Sequence, residues 1–439
     1  MENVDILIEA RWVIPVEPAG IALENHAVAV RDGRIVALVP GAQAAQRFAP
    51  AERVALPAHA LIPGLVNLHT HAAMTLLRGF ADDLPLMRWL SERIWPAEAR
   101  LVSAEFVRDG TLLAAAEMLR GGVTCANDMY FFPDAAADAF VALGMRAAIG
   151  MIAIEFPSAY ASDADDYLAK GLAARDARRH EPLLSFCLAP HAPYTVSDRS
   201  FEKIARYAGE LGVPVHIHVH ETAQEIADSL AAHGARPLAR LARAGLVGPQ
   251  TIAVHAVHLD AGDIALLASH GASVAHCPAS NLKLGSGIAP LAALLDAGVN
   301  LGIGTDGAAS NNRLDMFGEM RLAALLAKGA AGRADLLPAA QALACATLGG
   351  ARALGLDALI GSLVPGKAAD LVAVDFGRLE MRPCYDPLSH LVYTAERSDV
   401  TDVWVAGKHV VREQQLTAPA AADLATLAGL WQNRAGAGA

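Results

Sequence analysis

Two histidines at alternate positions, His69 and His71 in the run NLHTHAAMTLLRG, directly follow an apolar stretch. Alternate residues on a strand project to the same side, so the pair could aim two imidazole nitrogens at one point. With 16 histidines in 439 residues, chance alone supplies roughly 0.6 such pairs, so the pair needs company before it carries chemistry. Three further segments supply it. VHIHVHETAQE holds His216, His218, His220 and Glu221, VHAVH holds His255 and His258, and GTDGAAS holds Asp306. Three histidines with one carboxylate suit Zn²⁺, one ion per subunit, and Fe²⁺ or Mn²⁺ would also be accepted. Water at an open position of such an ion becomes a source of hydroxide at neutral pH. Glu221, three residues after His218, is the natural proton carrier for a leaving group. His26, His59, His180, His233, His270, His390 and His409 stand alone and read as ordinary packed histidines.

The elements that must position these groups are short apolar strands alternating with Ala/Leu-rich helical stretches over residues 61–360. Strand candidates are LIPGLVNLH, VTCANDM, RAAIGMIAI, LLSFCLAP, PVHIHVH, TIAVHAVH, ASVAHCP and NLGIGTDG. FVRDGTLLAAAEMLRGG and IAPLAALLDAGVN carry helical periodicity between them. Eight such units predict a (β/α)₈ TIM-like barrel, with an open doubly wound sheet as the competing architecture. The barrel is preferred because polar residues end at least five different strands. The steps from His218 to His255 and from His255 to Asp306 equal one and roughly two βα units. Residues 1–60 read as strands and turns, with a hairpin signal at Asp32-Gly33. The same texture returns in 361–439, in ADLVAVDF and VTDVWVAGKHVV, with the turn expected at Gly407-Lys408. Both chain ends are therefore expected to build one small β-sandwich, followed by a C-terminal helix or tail.

Bulk properties narrow the function. A net charge of −11 without a basic run argues against nucleic acid or an anionic membrane as partner. Five scattered cysteines without Cys-x-x-Cys favour free thiols in a reducing compartment. The start MENVDILIEARWVIP has no basic leader region, and no apolar run reaches the roughly 18 residues of a bilayer span; a cytoplasmic protein is expected. GSLVPGK (361–367) matches seven positions of a phosphate-binding loop but continues with Ala368 and a strand, so it reads as a turn. No Pro-Cys-x-x-Cys of the cytidine-type zinc deaminases occurs. The fourth barrel strand offers neither Lys nor Glu to bridge a second ion, which favours a single metal.

PGLVNLHTHAAMTLLRGFADDLPLMRWL, APHAPYT, HETAQE, HAVHL, HCPASNLKLGSGIAP, GTDGAASNN and GSLVPGKAADLVAVD together resemble the amidohydrolase superfamily. Within it the sequence is similar to the 5′-methylthioadenosine/S-adenosylhomocysteine deaminases, along essentially the whole chain. The resemblance implies a metal-bearing distorted barrel and a small nucleoside as substrate, in a homo-oligomer. It implies His69, His71, His218 and Asp306 as zinc ligands and Glu221 as the proton shuttle to the purine ring. It assigns His255 to the water beside the metal, where spacing alone allowed a ligand. It places Glu98 on the ribose hydroxyls, Trp89 and His191 in the substrate pocket, and Ser310 as a polar group beside the metal. The implied chemistry is hydrolytic loss of ammonia from adenine C6, with Asp306, His255 and Glu221 catalytic. Residues 147–174 contain no Arg and only Lys170, so a bidentate clamp for an amino-acid carboxylate is missing there. Methylthioadenosine or adenosine is therefore favoured over S-adenosylhomocysteine, and Met151, Ile154 and Phe156 are candidates to face a methylthio group. Guanine or pterin deaminases and triazine-type hydrolases remain the alternative, against which Glu98 discriminates, since a bare heterocycle has no ribose. A non-catalytic metal-binding scaffold would not require Glu221 or His255.

Overall fold

The computed structural model describes residues 1–436. Sixteen strands form two eight-stranded sheets. In chain order they are β1 (Glu2–Val13), β2 (Leu23–Arg31), β3 (Arg34–Pro40), β4 (Phe48–Pro63), β5 (Leu65–Thr70), β6 (Val123–Tyr130), β7 (Arg146–Ala153), β8 (Leu184–Pro190), β9 (Val215–Val219), β10 (Thr251–His255), β11 (Ser273–His276), β12 (Asn300–Ile303), β13 (Leu371–Asp375), β14 (Val400–Val405), β15 (Lys408–Arg412) and β16 (Gln415–Leu416). Strands β5 to β12 lie side by side in sequence order and pair in parallel, with helices between them, as a (β/α)₈ barrel requires. All eight strand candidates fall in this sheet, and its members are short and buried on both faces.

The barrel closes between β12 and β5, and it does so through polar contacts at the strand ends. Asp306 N–H donates to the His69 carbonyl at 2.9 Å, while Asn67 Nδ2 donates to Thr305 Oγ1 at 2.8 Å and Thr305 N–H to Asn67 Oδ1 at 3.0 Å. Gly304 makes this approach possible, because a Cβ there would lie 2.8 Å from both the Cβ and the backbone nitrogen of His69.

The second sheet runs β16-β15-β14-β13-β4-β1-β2-β3 and uses both chain ends. The Asp32-Gly33 hairpin joins β2 to β3 with both residues left-handed (φ 54° and 70°), the signature of a type I′ turn. The later hairpin turns at Ala406-Gly407, one residue before the expected pair, with φ 48° and 75°. These two turns touch: a Cβ on Gly33 would meet the Ala406 carbonyl oxygen at 2.5 Å. The sheet thus folds over on itself around Ile8, Val28, Leu371 and Trp404. β4 runs to Pro63, three residues past the expected edge at residue 60, and pairs with β13. Residues 361–436 also return to the barrel. Helix Pro387–Tyr393 packs on the helices Met316–Ala331 and Ala339–Ala344, and in helix Leu424–Gly436 Trp431 donates to Asp109. GSLVPGK is a turn: Lys367 donates to Glu17 and Ser362 and leads into β13.

A buried ion pair joins the two sheets. Arg146, at the start of β7, grips Asp370 bidentately at 3.0 and 3.2 Å, and both side chains are almost fully buried. Asp370 also accepts from Ala406 N–H, and its carbonyl accepts from Gly64 N–H at the β4–β5 junction. Removing one partner of such a pair strands a buried charge. Asp370→Ala should therefore lower unfolding stability by about 3–5 kcal/mol, read as a drop in the urea midpoint.

Candidate active site

The centre lies where β5, β9, β10 and β12 end. In β9 Val215, Ile217 and Val219 join the main apolar core, so the period-2 alternation turns His216 and His218 the other way, towards His69. Three of these strand ends turn through left-handed backbone at non-glycine residues: His220 (φ 57°), His255 (φ 68°) with Ala256 (φ 49°), and Asp306 (φ 60°). Such conformations cost energy for residues with a Cβ and cluster where function needs them.

His69 Nε2 lies 3.2 Å from His218 Nε2 and 3.2 Å from Asp306 Oδ1, and His71 Nε2 lies 3.4 Å from the same oxygen. One donor atom each of His69, His71 and Asp306 lies within 4.8 Å of the others, and the same holds for His69, His218 and His255. The opposite ring nitrogens are committed. His71 Nδ1 donates to the Met129 carbonyl at 2.6 Å and His218 Nδ1 to the His191 carbonyl at 2.7 Å. A carbonyl only accepts, so these rings carry their proton on Nδ1 and turn a bare Nε2 lone pair inward. His69 Nδ1 shares a proton with His216 Nε2 at 2.9 Å. Burial and the neighbouring imidazoles hold the His218 pKa well below its usual value, and burial takes His69 down to about 4. Neutral imidazoles facing one another at such range fit a cation: zinc–nitrogen bonds of 2.0–2.1 Å place tetrahedral neighbours about 3.3 Å apart. The donor set fits zinc.

Asp306 is held from three sides. Its Oδ2 accepts from Ser280 Oγ and Ser310 Oγ, each at 2.6 Å, and its Oδ1 from Gly307 N–H at 2.7 Å. Burial alone would raise this carboxyl, yet the His69 hydrogen bond and the nearby imidazoles of His71 and His255 keep it well below the carboxylate range. The Ser310 hydroxyl donates to the carboxylate and so orients Asp306, beside the metal donors as expected, and the same side chain lines the cavity above them. His255 Nδ1 donates to Asn281 Oδ1 at 2.8 Å, which turns Nε2 toward the centre, 3.8 Å from Glu221 Oε2. Burial pushes the Glu221 carboxyl up.

A cavity of about 450 Å³ opens above these groups. Trp89, Glu98, His191, Ile154 and Phe156 line it, and no Lys or Arg does so among the described residues. Trp89 Nε1 is spent on the Ala81 carbonyl, and His191 Nδ1 pairs with Thr195 Oγ1. Met151 lies outside the cavity wall; it packs against Gly171 in the core. Lys170 is tied to Asp166 and the Tyr160 carbonyl.

Three groups were not singled out from the sequence. Tyr130, the last residue of β6, donates to Glu98 Oε1 at 2.6 Å. Burial pushes the Glu98 carboxyl up to about 7, with the Tyr130 bond working the other way. Asn281 lies in the HCPASN run, and its contact with His255 spans 26 residues. Glu225 accepts from the backbone N–H of His220 and of Glu221 at 3.0 and 2.8 Å, so it fixes the loop that presents Glu221. The visible signal for Glu225 was a second carboxyl in HETAQE, one helical turn after the first.

The amidohydrolase family model matches residues 60–410. A 5-methylthioadenosine/S-adenosylhomocysteine deaminase of Teredinibacter turnerae is 49% identical over 99% of this chain and 98% of that protein. One of Saccharophagus degradans is 49% identical over 98% and 96%. The crystal structure of an adenosine deaminase from Xanthomonas campestris with bound zinc superimposes with a TM-score of 0.98 at 55% identity, covering 99% of each chain.

Burial raises the Glu225 carboxyl to about 7, above the roughly 4.3 of an unfolded chain. The folded state then binds the extra proton between those values, so this contribution to stability is present below about 4.3 and is lost as pH rises through 7. In metal-free protein the Glu225→Gln variant should show a melting temperature that declines less than the parent's between about pH 5 and 8, in a parallel thermal series.

Proposed function

The chain belongs to the amidohydrolase family, and from that membership we propose that it is a zinc-dependent deaminase of adenosine-type nucleosides. The observation that carries the reading is the convergence of His69, His71, His218 and Asp306 on one point beneath a cavity walled by Glu98. These four side chains would hold the zinc ion. When bound, zinc lowers the pKa of a water molecule towards 7 and so supplies a nucleophile at neutral pH.

The protein's own groups account for the proton traffic. Water oxygen bonds to adenine C6 while Asp306 takes one proton from it, and His255 Nε2 orients the same water as acceptor. Glu221, whose carboxyl burial pushes up, gives its proton to N1, so no negative charge gathers on the ring. The C6–N bond then breaks. The proton on Asp306 leaves with the amine as ammonia, and the hydroxyl proton on C6 restores Glu221. The product is the inosine analogue, with the N1 proton retained.

Substrate choice follows from the cavity wall. The Glu98 carboxyl, braced by Tyr130, offers acceptors to ribose hydroxyls. Ile154, Phe156 and Trp95 offer an apolar surface further along, suited to a methylthio group or to an unsubstituted ribose. A zwitterionic amino-acid tail would find no cation there, so methylthioadenosine and adenosine are preferred to S-adenosylhomocysteine. The reading extends to a cytoplasmic homo-oligomer, supported by the acidic balance and five free cysteines and by the habit of the resembled family. Among the described residues no helix is long and apolar enough to cross a membrane.

Zinc-loaded protein should bleach the adenine ultraviolet band of methylthioadenosine and adenosine quickly and that of S-adenosylhomocysteine slowly; inertness towards all three sinks the proposal. Glu221→Gln should keep its zinc, measured by elemental analysis, and lose about 10²–10⁴ in kcat. Glu98→Gln should lose about 10–100-fold in kcat/KM on adenosine, the worth of a hydrogen bond to a charged group. It should change 2′,3′-dideoxyadenosine turnover little, because the contact it removes is to the ribose hydroxyls.

A further inference from the structure

Glu319, on the helix Met316–Ala331, is 3% exposed and has no cationic partner among the described ion pairs. Burying a carboxyl without a cation is costly unless it is fully hydrogen-bonded. Here its two oxygens accept from two different segments. Oε2 takes Ala279 N–H at 3.1 Å, and Oε1 takes Asn311 Nδ2 at 2.7 Å. Ala279 belongs to the short helix Pro278–Lys283 and Asn311 to the short helix Ala308–Asn311.

Those two helices carry the groups that orient the reaction centre. Ser280 and Asn281 follow Ala279 directly; Ser280 donates to Asp306 and Asn281 accepts from His255. Ser310 precedes Asn311 and donates to the same Asp306 oxygen as Ser280. Asn311 Nδ2 also donates to the Thr305 carbonyl at 2.6 Å, next to Asp306 itself. Neither helix is long enough to be stable alone, so their separation depends on what bridges them. Resting on the deaminase reading, we propose that Glu319 is a positioning residue. Its carboxyl group ties the two helices together and thereby fixes Asp306 and His255.

Both partners are N–H donors, so the site needs two acceptor oxygens. Glutamine fills the same volume but offers one oxygen and one NH₂, which would face an N–H. Packing is conserved and the bridge is broken. In zinc-loaded Glu319→Gln the kcat on adenosine should fall at least about tenfold with KM changed less than about twofold, the pattern of an interaction realised in the transition state. Zinc release to a chelator should be at least about tenfold faster, because orientation of a ligand by its own hydrogen-bond partners is worth 10–100-fold in metal affinity. Asn311→Ala, which cuts the bridge from the other helix, should move both quantities the same way and should not add to Glu319→Gln. It also serves if Glu319→Gln fails to fold. Values of kcat and zinc release within twofold of the parent in the folded variant would overturn the proposal. The chelator measurement needs no substrate, so a parent inert on every adenosine analogue would sink the deaminase reading and leave the test of Glu319 standing.

Discussion

Lone pairs aimed at one point are the constraint on which this molecule is built. His69 and His218 bring Nε2 atoms to 3.2 Å, and Asp306 Oδ1 approaches His69 and His71 at 3.2 and 3.4 Å. Without a cation the bare nitrogens of His71 and His218 repel the Asp306 carboxylate, and burial removes the water that would soften the repulsion. The arrangement is sustained from behind. Carbonyls of Met129 and His191 fix the His71 and His218 tautomers, His216 backs His69, and two serines and a glycine N–H hold Asp306. These supports come from β6, from β9, from the loop after β8 and from the short segments that follow β11 and β12.

That layout explains why the barrel closes as it does. Between β12 and β5 the joint is made by Asn67, Thr305 and the Asp306 backbone, the same residues that set the height of the metal donors. The left-handed turns at His220, His255 and Asp306 swing side chains off the strand ends towards one axis, and the strain is tolerated because the surrounding hydrogen bonds over-determine it. The remote Arg146–Asp370 pair serves the same end at a distance, since it holds the terminal sheet against the junction at which β5 begins.

The apolar runs ending in His, Glu or Asp made the barrel strands legible, and all eight lie where the alternation placed them. The donor residues were legible for the same reason, because strand period and βα spacing are properties of the chain. Side-chain commitments were not. Tyr130 reaches Glu98 across 32 residues and Glu319 reaches Ala279 across 40, and no local pattern encodes such contacts. Ser310 stood beside the donors in sequence terms, but which partner its proton takes is decided by where Asp306 turns. Met151 and Ile152 are neighbours on β7, so their side chains face opposite sides. Ile152 and Ile154 line the cavity and Met151 is core. The helix Pro387–Tyr393, which leaves the terminal sheet to pack on barrel helices, carries no mark of its destination.

Two buried carboxyls only one imidazole apart are pushed in opposite directions, and this divides the labour between them. Glu221 sits in a dry wall with one histidine 3.8 Å away, and burial raises it. Asp306 is equally dry and accepts from Ser280, Ser310 and Gly307, but the His69 hydrogen bond and the imidazoles of His71 and His255 hold it low. A carboxyl that keeps its proton can donate it; one that stays ionised can ligate a cation and accept a proton when the reaction supplies one. The same fold could not exchange the two roles. Bare burial at position 306 would raise that carboxyl and cost the centre its anionic ligand, whereas serines around Glu221 would lower it and remove the acid. Chemistry at this site therefore rests on unequal hydrogen bonding as much as on the choice of residues.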